Sequence, residues 1–146
     1  NLTVNELLTI ASLVEKEGAK TEDRKLIAGV FYNRLNLGMP LQSNIAILYA
    51  QGKLGQNISL ADDAGIDTSI NSPYNVYTKP GLMPSPVDSP SQDAIEASIN
   101  QTKSENLYFV ANVTDGKVYY AVTQEEHDRN VAEHVNSKLT QNSSSN

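Results

Sequence analysis

With 146 residues the chain has the size of one domain, and a domain of ~150 residues removes roughly 70% of its unfolded surface from water, enough for a core. Hydrophobic residues make up 39% and charged residues 19%, below the usual ~45–50% and ~25%, with uncharged Asn, Ser, Thr and Gln taking up the difference. Eleven basic against seventeen acidic residues leave a net charge of −6, so no nucleic-acid partner is expected, and the absence of cysteine excludes disulfides, thiolate metal sites and cysteine nucleophiles.

The first third reads as helix. Thr3-Val4-Asn5-Glu6 has the form of a capping box, in which Thr3 accepts from a first-turn amide and Glu6 reaches back. Val4, Leu7, Leu8, Ala11 and Val14 follow at helical spacing, and Gly18 stops the run. A second helix opens at Thr21-Glu22-Asp23, with acids suited to a helix N-terminus. Its stripe is Leu26, Ile27, Val30, Phe31 and Leu35, and Gly38 with Pro40 ends it. A short third helix is expected over Asn44 to Ala50.

From Gly52 to Pro90 the glycines and prolines multiply and periodicity fades. Helical turns are expected around Ser59–Ala64. A loop-rich segment of this length inside a domain is functional or disordered, and Tyr74, Tyr77 and Leu82 argue for order because they can be buried. Ser91 to Ile99 reads as another helix. Leu107–Val113 and Val118–Val122 flank Asp115-Gly116, a hairpin signal. Thr123-Gln124-Glu125-Glu126 repeats the capping-box form and opens a last helix to about Leu139, before a polar tail from Gln141 to Asn146. The fold class expected is α+β: a helical core, an antiparallel β-hairpin or small sheet, and a long functional middle loop. The domain is drawn over residues 1–140, with 141–146 as a disordered tail.

Two carboxylates on the first helix carry the chemical question. At about 100° per residue, Glu15 falls beside Leu8 and Ala11 on one flank of the apolar arc, and Glu17 beside Ile10 and Leu13 on the other. Both aim towards the protein, whereas Lys16 points to solvent. On the second helix Arg34 lies on the apolar stripe, where a permanent cation needs acceptors. A glutamate at the end of the first helix is its expected partner. That pairing would lower the glutamate's pKa, so the two acids should divide their roles. One would be anchored by Arg34 and the other kept in a less polar niche with a raised pKa; which is which stays open at this point.

These residues also resemble a family. Ala11-Ser12-Leu13-Val14-Glu15-Lys16-Glu17, then Leu26-Ile27-Ala28-Gly29-Val30-Phe31-Tyr32-Asn33-Arg34-Leu35, Leu37-Gly38-Met39-Pro40-Leu41-Gln42 and Ser72-Pro73-Tyr74-Asn75-Val76-Tyr77 resemble the catalytic domain of the YceG-like (MltG-type) endolytic murein transglycosylases. The Leu107-Tyr108-Phe109-Val110-Ala111 strand and the Glu126-His127 pair fit the same pattern, so the resemblance runs from about Leu2 to Leu139. It implies a lytic murein transglycosylase without a cofactor or metal. Such an enzyme cuts the β-1,4 bond between N-acetylmuramic acid and N-acetylglucosamine and leaves a 1,6-anhydro end. The motif places the proton-handling acid at Glu17, and Glu15 becomes the structural acid. Gln42, Asn33, Tyr74, Asn75 and Tyr77 match the family pattern as substrate contacts. On their own chemistry, the two tyrosines could equally anchor the loop, Asn75 hold a turn and Gln42 satisfy loop backbone. Arg34 is read as structural. His127 is secondary, lining the cleft or capping a helix, and His134 is read as a surface residue.

The resemblance further implies an extracytoplasmic position at the bacterial cytoplasmic membrane and contact with peptidoglycan glycan strands and the cell-elongation machinery. A membrane anchor and an N-terminal module are expected in a longer protein, since no run here approaches ~18 consecutive apolar residues. Two other readings use the same residues: a muramidase in which water attacks, and a non-catalytic glycan-binding or scaffold module. The chain departs from the family at Ser43-Asn44-Ile45-Ala46, where Thr-Asp-Pro-Thr is usual, and at Met83 and Ser85 in the Gly81–Pro86 loop. Ser85 in place of a glycine predicts a different loop path or a strained backbone.

Overall fold

The computed structural model describes residues 2–53, 66–112 and 114–136. The turns expected at Ser59–Ala64, the end of the last helix at Leu139 and the tail from Gln141 lie outside these residues. The chain divides into two compact units, Asn1–Lys103 and Ser104–Asn146, and each is described by itself.

Among the described residues, four helices build the first unit: α1 (Val4–Glu17), α2 (Thr21–Leu37), α3 (Asn44–Ala50) and α4 (Gln92–Ile99). The capping box at the head of α1 forms as expected, with Glu6 N–H donating to Thr3 Oγ1 and Thr3 N–H to Glu6 Oε1, both at 3.1 Å. The apolar stripe of α1 understates its burial. Thr9 to Val14 are all buried, because α2, α3 and α4 pack around this helix. A helix enclosed on every side has no free polar face, so its hydroxyls turn back on the backbone. Thr9 Oγ1 donates to Asn5 O and Ser12 Oγ to Thr9 O, each at 2.7 Å. Ser12 Oγ also accepts from Val87 N–H at 3.2 Å, which ties the loop before α4 to the core.

Gly18 ends α1 in an extended conformation, φ −121°. Its missing side chain matters for packing, since a Cβ there would lie 3.0 Å from Arg24 Cγ and 3.1 Å from Ile27 Cδ1. Only Gly18 to Lys20 separate α1 from α2, so the start of α2 is held against the end of α1. Gly38 closes α2 in the left-handed region, φ 69°, donating to the carbonyls of Arg34 and Leu35 in the manner of a glycine stop. Residues 66–90 run as turns and bends without helix or strand, as the middle-loop reading anticipates.

The second unit holds an antiparallel hairpin, β1 (Tyr108–Ala111) and β2 (Val118–Ala121), in the register Tyr108↔Ala121 to Ala111↔Val118. Gly116 supplies the positive φ of 74° at the turn, and Asn112 and Lys117 close it by backbone hydrogen bonding. Thr123 caps α5 (Gln124–Val131), accepting from Glu126 N–H at 3.2 Å. A π-helical turn, Ala132–Asn136, continues it. The two histidines stack on the hairpin's tyrosines: His127 on Tyr108 with ring centroids 5.1 Å apart, and His134 on Tyr119 at 3.6 Å. His134 is therefore half-buried against a ring and not a plain surface residue. An α+β fold with a helical core and one small antiparallel sheet agrees with the expectation from sequence.

Candidate active site

The two glutamates of α1 meet different partners. Glu15 is locked. Its Oε2 accepts from Ser91 Oγ at 2.6 Å and Ser91 N–H at 3.0 Å, and Oε1 lies 3.6 Å from Arg24 Nη2. The Ser91 hydroxyl is the largest influence holding its pKa below the usual carboxylate range. Partial burial works against this, and the Ser91 amide and the charges of Arg24 and Lys16 add to it. The cation at Glu15 is thus Arg24 and not Arg34, a correction to one arm of the sequence reading. The reason is local. The short Gly18–Lys20 link brings the first turns of α2 to the last turn of α1, while Arg34 lies ten residues on, roughly 15 Å along the helix. Arg24 also binds Asp93 at 2.7 Å and the Gly18 carbonyl at 2.8 Å, so one guanidinium joins α1, α2 and α4.

Glu17 closes α1 and is half-buried. Ser43 Oγ donates to its Oε1 at 3.0 Å. Ser43 is buried at the N-terminus of α3 yet makes no capping bond with its side chain, so its hydroxyl serves the glutamate instead of the helix. The residues on either side of Ser43 extend the cluster. Gln42 has φ 56°, the one positive φ of a non-glycine among the described residues, a conformation that costs ~1 kcal/mol or more and gathers at functional sites. Its N–H donates to Val76 O at 3.0 Å. Its side chain is exposed, with Oε1 3.5 Å from Arg34 Nη1. Asn44 Oδ1 accepts from the Tyr77 hydroxyl.

Arg34 is buried and anchors this turn. Its Nη1 donates to Pro40 O at 2.9 Å and Leu41 O at 3.1 Å. Gln42, Ser43 and Asn44 therefore tie together the acid at the end of α1, the cation of α2 and the Tyr77 loop. Sequence reasoning passed over Ser43 and Asn44 because they depart from the family pattern. Their position, a polar pair immediately before an apolar helical run, is the signal that could have found them.

The other sequence-selected residues sort by burial. Asn75 is 1% exposed. Its amide donates to Thr68 O and Ile70 O, and its Oδ1 accepts from the N–H groups of Tyr77 and Thr78. Both donors and both lone pairs are spent, so the expected substrate contact gives way to a role in shaping the loop. Tyr74 is half-buried, with its hydroxyl 2.6 Å from Ser85 Oγ. Ser85 thus gives the loop a tether, and the backbone strain expected there is absent. Asn33 is half-buried on α2 beside Arg34. His127 belongs to the second unit, stacked on Tyr108. Asp88, which sequence reading did not select, has both carboxyl oxygens buried without hydrogen-bond partners. Desolvation pushes its pKa up to about 6, with Lys16 opposing and the Glu15 charge adding to the rise.

Similar proteins can be set beside this geometry. Endolytic murein transglycosylases of Streptococcus pneumoniae, from serotype 2 strain D39 and from strain R6, are each 86% identical over 139 residues, which is 95% of this chain and 25% of theirs. The Bacillus subtilis strain 168 protein of the same name is 39% identical over 137 residues, 94% of this chain and 36% of its own. The chain thus spans about a quarter to a third of the length of these relatives. A crystal structure of a yceG-like protein from Listeria monocytogenes superposes with a TM-score of 0.77 at 41% identity, covering 88% of this chain and 40% of that one. Residues 1–133 match the profile of the YceG-like family, and the chain belongs to that family.

Proposed function

We propose that this chain is the catalytic part of an endolytic murein transglycosylase, with Glu17 as its acid and then its base. The likeness to relatives of that name over nearly the whole chain supports the activity. The contrast between the two α1 glutamates supports the assignment. Glu15 is tied to Ser91 and Arg24, whereas Glu17 accepts from the hydroxyl of Ser43, the chain neighbour of the exposed, strained Gln42.

The reaction needs one proton passed out and taken back. Protonated Glu17 donates to the glycosidic oxygen as the C1–O4 bond breaks and positive charge develops at C1 of the muramoyl ring. The muramoyl 6-hydroxyl then closes on C1, and its proton goes to the Glu17 carboxylate. No water is consumed and no second carboxylate is needed as nucleophile, because the attacking oxygen belongs to the substrate. Ser43 holds the acid in one orientation for both steps. Arg34 fixes the turn that carries Gln42, Ser43 and Asn44, and in this reading Gln42 and Tyr77 meet the sugar. Such an enzyme works on glycan strands at the outer face of the cytoplasmic membrane, beside the cell-elongation machinery. Among the described residues no helix is long and apolar enough to cross a membrane.

Glu17→Gln in the full-length protein keeps the shape of the side chain and removes the transferable proton. The expected result is cleavage reduced at least ~10³-fold with glycan binding retained. Mass spectrometry of products from the parent protein should show 1,6-anhydro ends. Reducing ends would mean that water attacks, and unchanged turnover in the glutamine variant would remove Glu17 from the chemistry.

A further inference from the structure

Tyr49 lies outside every role described so far. It is on α3, six residues past Ser43 and hence ~9 Å along the helix from the hydroxyl that holds Glu17. Of the large hydrophobic side chains exposed among the described residues, it is the aromatic one, at 39% exposure. Lone exposed apolar residues are ordinary, but this ring is held in place. Its centroid is 4.8 Å from that of Tyr74, with the planes tilted by 50°. Tyr74 is itself fixed at both ends, by its backbone N–H on Ser72 Oγ at 3.1 Å and its hydroxyl on Ser85 Oγ at 2.6 Å.

We propose that Tyr49, braced by Tyr74, is a saccharide-stacking platform that holds a sugar of the glycan strand on the α3 side of Glu17. This rests on the transglycosylase reading and adds to it a residue that binds substrate away from the bond being cut. The chemistry fits an uncharged pyranose. One face of such a ring is a patch of C–H groups that packs on an aromatic face, and its hydroxyls can meet a phenol at the edge. The tilt of the pair makes a corner of two aromatic surfaces, and a ring already held by its neighbour loses little side-chain freedom when a sugar lands on it. The platform is one to two rings wide, a size that suits a sugar better than a protein interface, which takes ~800 Å² from each partner.

The test uses the full-length protein and purified glycan strands. Tyr49→Ala and Tyr49→Leu should each raise KM for long strands roughly tenfold with kcat within about twofold, whereas Tyr49→Phe should stay close to the parent. Placed on the Glu17→Gln background, Tyr49→Ala should weaken glycan binding by the same factor, a readout that needs no turnover. A leucine variant with parental KM would mean that packing and not the ring matters, and a phenylalanine variant as impaired as alanine would mean that the hydroxyl does the work. Either overturns the platform. If Glu17→Gln still cleaves, the assigned acid fails, but the KM comparison among the Tyr49 variants in the parent protein still decides the platform on its own.

Discussion

Glu15, Glu17 and Asp88 show how far the setting of a carboxyl outweighs its identity. Glu15 has two hydrogen bonds from Ser91 and a cation, Glu17 has one serine hydroxyl among its partners, and Asp88 has none for either oxygen. A carboxyl buried without donors favours its neutral form, hence the rise of Asp88 to about 6. The sign of the resulting stability effect follows. An acid whose folded pKa stands above its unfolded value stabilises the fold when protonated, and that contribution is lost as pH rises from about 3.8 to about 6. Asp88→Asn removes the titration and keeps the shape. Above pH 6 it should be more stable than the parent by about 1 kcal/mol after allowance for partial exposure, and so unfold at a higher temperature. The advantage should shrink towards pH 4. Equal melting temperatures across that range, measured by circular dichroism, would show that Asp88 is not strained by burial. Glu15 has the opposite dependence: its depressed pKa contributes stability above about 4.5 that is lost as pH falls through the folded value.

Helices are held together here by close approach as much as by side chains. Gly29 lies in the buried stretch of α2, and a Cβ at this position would come within 2.7 Å of the Thr102 carbonyl oxygen. Thr102 N–H in turn donates to Lys25 O, so the segment after α4 is laid directly on the α2 backbone. Intrinsic propensity alone would make Gly29→Ala stabilising by ~1 kcal/mol. The clash is with backbone, which cannot swing away, so the contact should outweigh propensity. A net loss of ~1–2 kcal/mol is expected, the usual scale for overpacking. Thermal unfolding reads the sign directly, and a raised melting temperature would show that residue 102 moves freely off the helix. Sequence reading placed Gly29 inside the second helix and gave it no role. That it faces a backbone is a fact about another segment.

At the scale of the molecule, the two units carry very different amounts of core. Asn1–Lys103 encloses α1 over Thr9–Val14 and buries Phe31, Ile10, Leu13, Ile27 and Ile47 completely. In Ser104–Asn146, Ala121 and Asn112 are the buried residues among those described. Opening free energy follows buried apolar area, so native-state hydrogen exchange should find the slowest amides in α1 and α2. Those of β1 and β2 should exchange sooner, by roughly ten- to a hundredfold. Equal protection in both units would mean that the hairpin draws stability from more than its own core.

The sequence by itself determined where α1 begins, where α1 and α2 end and where the hairpin turns, because the capping box, the glycine stops and the Asp115-Gly116 turn act within a few residues of themselves. It also led to the expectation that the two glutamates at the end of α1 meet different surroundings, and they do: Glu15 meets Ser91 and Arg24, and Glu17 meets Ser43. Tertiary structure alone decided the partners. Arg24 reached Glu15 through a three-residue link, Asn75 turned inward and spent its amide on its own loop, and Ser43 gave its hydroxyl to Glu17. Each of these contacts joins residues whose separation along the chain carries no periodicity, and their geometry is set only when the helices pack.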